Sequence, residues 1–216
     1  MIVAARYVAI KIDIRHSRAS KDRALLQTRL FSVADALNSD YEHAIQARFV
    51  VTHGDEIQGM LKNAGAPCTF RIMERAIDGV YPWEPRFGIG FGELMTPVQA
   101  TAIGMDGPAW YRASEGLDMS KTRRKYAAFR GLGDGQDFQV DALANLLLHQ
   151  RARWTEAQRR AIELVEYGMT QAAVAHEFGV SEAAVSNRLA AAGWQFYKDG
   201  REAVEQCLQD YALSIP

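Results

Sequence analysis

Two cysteines are all the sequence has, Cys68 and Cys207, and they stand far apart. That excludes a disulfide scaffold and a cysteine-rich zinc site, and it points to a reducing setting. An excess of either charge is missing too: 25 Lys and Arg against 26 Asp and Glu leave a formal net charge of −1. A protein that coats nucleic acid non-specifically carries a strong positive surplus, so any nucleic-acid contact here must be local. No run approaches the roughly 18 apolar residues that span a membrane, so a membrane-spanning helix is not expected and no membrane partner is called for. The opening MIVAARYVAIKIDIRH is interrupted by Arg6, Lys11 and Asp13 and carries no small-residue cleavage site. It reads as part of the fold and not as a signal peptide, and the expected location is the cytoplasm. Repeats and low-complexity tracts are also lacking. What remains is ordinary globular composition over 216 residues, 48% hydrophobic and 24% charged. Such a chain makes one large domain or two small ones, not a disordered polymer.

Residues 3–14 are rich in Val, Ile and Ala and read as a buried strand. From Ser20 to Leu37 the apolar residues Leu25, Leu26, Leu30, Val33, Ala34 and Leu37 follow helical spacing. Residues 48–52 (RFVVT) form a second strand, His53, Gly54 and Asp55 a turn, and residues 56–61 the returning strand. A second helix spans 67–80, with Pro67 in its first turn, and Pro82 and Pro85 break the chain after it. Residues 86–95 (RFGIGFGELM) form a fourth strand whose alternate glycines strip one face of side chains. The order β-α-β-β-α-β is the ferredoxin-like arrangement, an antiparallel sheet backed by two helices, so the fold class is α+β. A loop entering a helix is expected over 104–117, a basic run over 121–130, and a helix over 137–150 that leads out of the first domain.

The C-terminal part is all helical. TEAQRRAIELVEYG, TQAAVAHEFG and SEAAVSNRLAAAG each start on a capping Thr or Ser and stop on a glycine. The tight FGVS connection between the last two is what a helix-turn-helix requires. The expected organisation is a palm-like domain over 1–148 and a small helix-turn-helix domain over 149–216, closed by a helix beyond Trp194.

Asp13 ends the first strand and Asp55 sits in the hairpin turn. In a ferredoxin-like sheet these strands are neighbours, so the two carboxylates approach one edge, where they repel unless protonated or bridged by a cation. Magnesium or manganese, held by Asp13, Asp55, the Ile14 carbonyl and Glu56, would bridge them and take a triphosphate. The plainer alternative is a turn cap at Asp13 and an ordinary hairpin at Asp55. His16 and His53 flank the two motifs as further ligands or as surface groups. Ser17 and Arg18 suit phosphate contact, or helix capping and a solvated charge. Gly54, in the hairpin that carries Asp55, is a further candidate nucleotide contact. Gly88, Gly90 and Gly92 leave room for a purine lying flat on the sheet, or for a packed helix; no Rossmann fingerprint is present. The basic run of Lys121, Arg123, Arg124 and Lys125 is a solvated face or a phosphate contact.

IKIDIRHSR, THGDEIQG and RFGIGFGE together resemble the palm core shared by class III nucleotidyl cyclases and GGDEF domains. Both families hold metal ions with an acidic residue at the first strand end and another in a GD hairpin. The combination of DIxxSR, GDExQG, RxGIGxGE, GMDGPAWYRA and the C-terminal helix-turn-helix resembles the SatD family over nearly the full length. The resemblance implies the palm architecture and metal-assisted nucleotide binding at Asp13 and Asp55. Cyclases also place an Asn and an Arg four residues apart on the helix after the glycine-rich strand. The aligned positions here are Tyr111 and Glu115, with Arg112 adjacent, so the resemblance does not carry the cyclising pair over to this chain.

In the helix-turn-helix, which is similar to the DNA-reading module of sigma factors and response regulators, Ala175 permits a close crossing and Gly179 the turn. Ser181, Ser186, Asn187 and Arg188 are the candidate DNA contacts, suited to base edges or phosphates. From Arg151 to Asp199 six basic residues face six acidic ones. One copy would then bind DNA weakly, and a homodimer or a second basic surface would have to add affinity. The leading expectation is a regulatory protein whose palm binds a nucleoside triphosphate, or a cyclic or dinucleotide, with a divalent metal, and whose helices bind double-stranded DNA. The rivals are a two-metal nucleotidyltransferase or cyclase that uses the helices for assembly, and a degenerate palm that only mediates protein contacts.

Overall fold

Val8, Ala9 and Ile10 are buried in succession along the first strand because helices cover both faces of its sheet. The computed structural model describes residues 5–17, 22–52 and 54–214. Strand β1 (Arg6–Ile14) leads to helix α1 (Arg23–Asp40), strands β2 (Ile45–Val51) and β3 (Glu56–Lys62), helix α2 (Thr69–Val80) and strand β4 (Pro85–Glu93). Helix α3 (Pro108–Thr122), strand β5 (Ala127–Arg130) and helix α4 (Asp134–Ala152) follow. The five-stranded sheet has the order β2-β3-β1-β4-β5. β1 is antiparallel to both β3 and β4, which is the α+β ferredoxin-like palm expected from the sequence.

Two features extend that expectation. β5 joins β4 in parallel, so the sheet is mixed; four residues inside a basic stretch gave no strand signal. The expected loop-to-helix segment continues as α3 through Thr122. Pro67 lies in a short 3-10 helix, Asn63–Cys68, ahead of α2 rather than in its first turn. The N-terminal start of the first helix at Ser20 falls outside the described residues, and within them Asp22 caps α1 by accepting from the Leu25 N–H at 2.9 Å.

Val8, Ile10 and Ile12 on β1, with Phe87, Ile89 and Phe91 on β4, form one wholly buried face. Leu26, Leu30, Val33 and Leu37 of α1, with Phe70, Met73, Ala76 and Val80 of α2, supply the helical side of that core. Buried Asn38 ties α1 to β2, donating to the Phe49 carbonyl at 2.9 Å and accepting from its N–H at 2.7 Å. The opposite face carries α3, where Ala109, Trp110 and Ala113 pack with Ala9 and Met60. A Cβ at Gly88 would stand 2.1 Å from the Ala113 carbonyl oxygen, and one at Gly90 would stand 2.1 Å from that of Ala109. The glycine series therefore admits a helix at backbone contact, the second of the two readings the sequence left open.

Contacts divide the chain into two compact units, residues 1–145 with 204–216, and residues 146–203. In the second unit, α5 (Glu156–Glu166) opens with a Thr155–Gln158 capping box and α6 (Gln171–Phe178) with a Thr170 cap. Gly179 takes the left-handed conformation at φ 62°, and Ser181 caps α7 (Glu182–Ala191). Trp154 donates to the Ala192 carbonyl at 2.8 Å and packs with Trp194 and Tyr197 of α8 (Trp194–Ser214). In the first unit, the end of α8 returns to the sheet: Asn63 donates to the Ala212 carbonyl, Arg71 pairs with Glu205, and Tyr211 meets Phe91 edge-on.

Alanine at Gly90 should lower unfolding stability by about 3 kcal/mol or more, because helix backbone blocks its Cβ. Alanine at Gly135, inside α4 with open space around it, should raise stability by about 0.5–1 kcal/mol. Urea midpoints of the two variants check the pair.

Candidate functional site

The strand register sets the site. Asp13 is opposite Glu56 on β3 and Arg86 on β4. Residues directly opposite share a face, as do residues two apart, so Lys11, Asp13, Glu56 and Arg86 all project on the α3 side. Lys11 pairs with Glu56 at 3.4 Å. The last turn of α3 brings Lys121 to Asp13 at 3.2 Å, where the helix C-terminus also favours a cation. Asp55 lies just ahead of β3, after Gly54 at φ 64°, and accepts a short hydrogen bond from the buried Ser17 hydroxyl. Burial, with Arg15 nearby, lowers the Arg86 pKa from its ordinary value, while Asp13 and Glu84 oppose that shift. Arg15 is itself paired with Glu84 at 2.8 Å.

The sequence-predicted residues thus divide. Asp13 and Glu56 meet across the ladder, Ile14 ends the same strand, and Asp55, which follows Gly54 in the adjoining turn, accepts from Ser17. Gly88 and Gly90 lie beneath α3, so no purine rests flat on them. His16 is exposed at φ 54°. Arg18 and His53 lie outside the described residues. Among the described residues, no three His, Cys, Asp or Glu side chains are gathered as a metal centre. Asp13 and Glu56 are countered by ammonium groups instead, and Asp55 by a hydroxyl. Their hard oxygens are nevertheless the donor type magnesium and manganese take, and Lys11 and Lys121 are partly exposed, so they can exchange an ion pair for a phosphate.

Sequence reasoning missed the cations. Lys11 was legible, two positions before Asp13 on an alternating strand. Arg86 could be read as opposite Asp13 only once the register was known. Lys121 sat in a run that also reads as a solvated face; in the fold Lys121 serves Asp13 and Lys125 serves Asp141, while Arg123 and Arg124 are exposed.

On α7, Ser186 and Asn187 are exposed, and Arg188 is half-buried with its guanidinium 5.5 Å from the centroid of the Phe178 ring. The Ser181 hydroxyl accepts from the Ala184 N–H at 3.2 Å, so its oxygen is committed to the cap.

The sequence pattern of the SatD family matches residues 7–208. The chain belongs to the SatD family. No curated protein matches it in sequence. Among solved structures, this SatD family chain is similar to a bacterial light-regulated adenylyl cyclase at 15% identity, covering 58% of this chain and 75% of the other with a TM-score of 0.45. A second is the guanylyl cyclase domain of the RhoGC fusion protein from the aquatic fungus Blastocladiella emersonii, at 15% identity, 53% and 74% coverage and a TM-score of 0.42. Among the described residues no helix is long and apolar enough to cross a membrane.

Asp13 is 18% exposed and its ion pair is open to water, so Asp13→Asn should change folding stability by only about 0–1 kcal/mol. Unfolding curves of wild type and variant measure the difference.

Proposed function

We propose that this chain is a regulatory protein whose palm binds a nucleotide together with a divalent cation at the Asp13 edge, and whose helix-turn-helix binds DNA. The observation that carries the palm half is the register pairing Asp13 with Glu56, with Lys11 and Lys121 drawn onto those carboxylates. An edge of alternating carboxylates and ammonium groups is balanced when empty. A metal–triphosphate brings both signs: phosphate oxygens take the lysines, and the freed carboxylates take the cation. Asp13 and Asp55 would hold the ion, with the Ile14 carbonyl and Glu56 as further oxygens. Bound there, the cation supplies positive charge to the phosphates. Ser17, beside Asp55, is placed to donate to a phosphate, and Arg18 follows it in sequence. Along the sequence this reading keeps the palm in 1–148 and the helices in 149–216, apart from the last turns of α8, which belong with the sheet.

The DNA half rests on the capped α6–Gly179–α7 turn and on the exposed Ser186 and Asn187 beside Arg188. Phe178 holds the Arg188 guanidinium in place, which reduces the entropy lost when it engages DNA. Balanced local charge makes the DNA affinity depend on assembly, so a homodimer is part of this reading.

Labelled nucleoside triphosphates incubated with the full chain and manganese test the palm. Saturable, manganese-dependent binding should appear and should be lost in Asp13→Asn and in Asp55→Asn. Unchanged titrations in both variants would remove the site. A cyclic or dinucleotide product would replace the sensor reading with the nucleotidyltransferase or cyclase reading.

For DNA, selection from a randomised duplex pool at low salt should recover bound sequences. Arg188→Ala should then either weaken all sequences alike and lower the salt slope by about one, as for a phosphate contact, or cost about 1–3 kcal/mol at one base position. No retention of any sequence by the full chain would make the helices an interaction bundle.

A further inference from the structure

A pocket of about 540 Å³ opens at the other end of the sheet, lined by Arg6, Arg112, Arg130, Asp137 and Tyr211 among others. Arg6 starts β1 and Asp13 lies near its end, so seven residues of strand, roughly 24 Å, separate the pocket from the carboxylate edge. The volume is that of a small-molecule site.

The three guanidinium groups in it are differently placed. Arg130 is neutralised by Asp141 at 3.2 Å and by Glu115 at 3.7 Å. Arg6 pairs with Glu93 at 3.6 Å, too long for a good hydrogen bond; its Nε is buried without a hydrogen-bond partner, and its Cζ lies 5.6 Å from the Tyr211 ring centroid. Arg112 donates to the Phe91 carbonyl and forms no ion pair among the described residues. A half-buried guanidinium held only by a neutral carbonyl keeps most of its five donors for something else.

The acidic members of the lining do not compete for it. The Asp137 carboxylate accepts from the backbone N–H groups of Gly131 at 3.1 Å and Leu132 at 2.9 Å. Those two bonds, allowed by Gly131 at φ 102° and Gly133 at φ 118°, fix the loop that forms the pocket wall. Glu115 answers Arg130, and Asp134 is exposed at the rim. The rim charge disfavours a polyphosphate and leaves a single oxyanion as the matching group.

We infer that this pocket binds a small metabolite through one carboxylate or phosphate group, anchored by Arg112 with Arg6 beside it. Tyr211 donates its hydroxyl to the Gly131 carbonyl at 3.2 Å, so the last turns of α8 close the site. The ligand is separate from the nucleotide and metal proposed at Asp13, and the inference does not rest on that reading.

The test is a titration of the full chain with inorganic phosphate and, in parallel, with malate, at fixed ionic strength, followed by the backbone amide resonances of Gly131, Leu132 and Tyr211. At least one of the two anions should shift them saturably, and the better one tells a phosphate-bearing from a carboxylate-bearing ligand. Arg112→Gln should weaken that binding about tenfold or more, the loss of a charge-assisted hydrogen bond. Arg6→Gln should weaken it by a smaller factor. Lys121→Gln should leave it within about twofold while weakening manganese-dependent triphosphate binding, so the two sites fail separately. The same spectra report whether each variant is folded; if Arg112→Gln is not, Arg6→Gln decides. Absence of saturation by either anion, or binding of undiminished affinity in the folded arginine variants, would overturn the inference.

Discussion

Backbone contact between α3 and β4 is the constraint from which the functional geometry follows. Helices normally meet sheets through side chains, about 10 Å from the strand layer. Here Gly88 and Gly90 remove the side chains, and Gly116 does so from the helix side, where a Cβ would stand 2.7 Å from the Ala128 carbonyl oxygen. The helix therefore settles against the ladder, and its two ends are set by that contact. Its first turns place Arg112 at the Phe91 carbonyl, and its last turn places Lys121 at Asp13. Nine residues of helix, roughly 14 Å, connect a cation at one end of the sheet to a cation at the other.

The charges on that face are arranged by register and not by proximity in sequence. Lys11 and Asp13 alternate on β1, and the antiparallel pairing sets Glu56 and Arg86 beside them. Each carboxylate there has a countercharge or a hydroxyl, so the edge is stable without a ligand and still offers exchangeable partners. Exposed and partly exposed ion pairs contribute little to folding, which leaves such groups available for binding.

The palm order was legible because its strands and helices carry distinct periods, and because Asp13 and Asp55 end strands that the topology makes neighbours. The helical unit was legible from its punctuation: Thr155, Thr170 and Ser181 cap, and Gly179 turns. β5 was not, since AAFR is four residues long and its partner β4 runs parallel to it across an intervening helix. The glycines of β4 showed that something approaches the sheet but not whether it is a base or a helix. The pocket at Arg6 and Arg112 was invisible for a different reason. Its walls come from β1, α3, the Gly131–Gly133 loop and α8, segments separated by up to two hundred residues, and no local pattern announces such a gathering.

That last separation bears on how the protein is made. Residues 204–214 belong with the sheet, yet residues 146–203 form a unit of their own between them and the rest of it. During synthesis all of the helical unit is made before Glu205, Tyr211 and Ala212, the partners of Arg71, Phe91 and Asn63. The smaller unit is therefore complete in sequence before the larger one is. A chain cut after residue 203 would keep every residue of the helical unit and leave the sheet without those three partners.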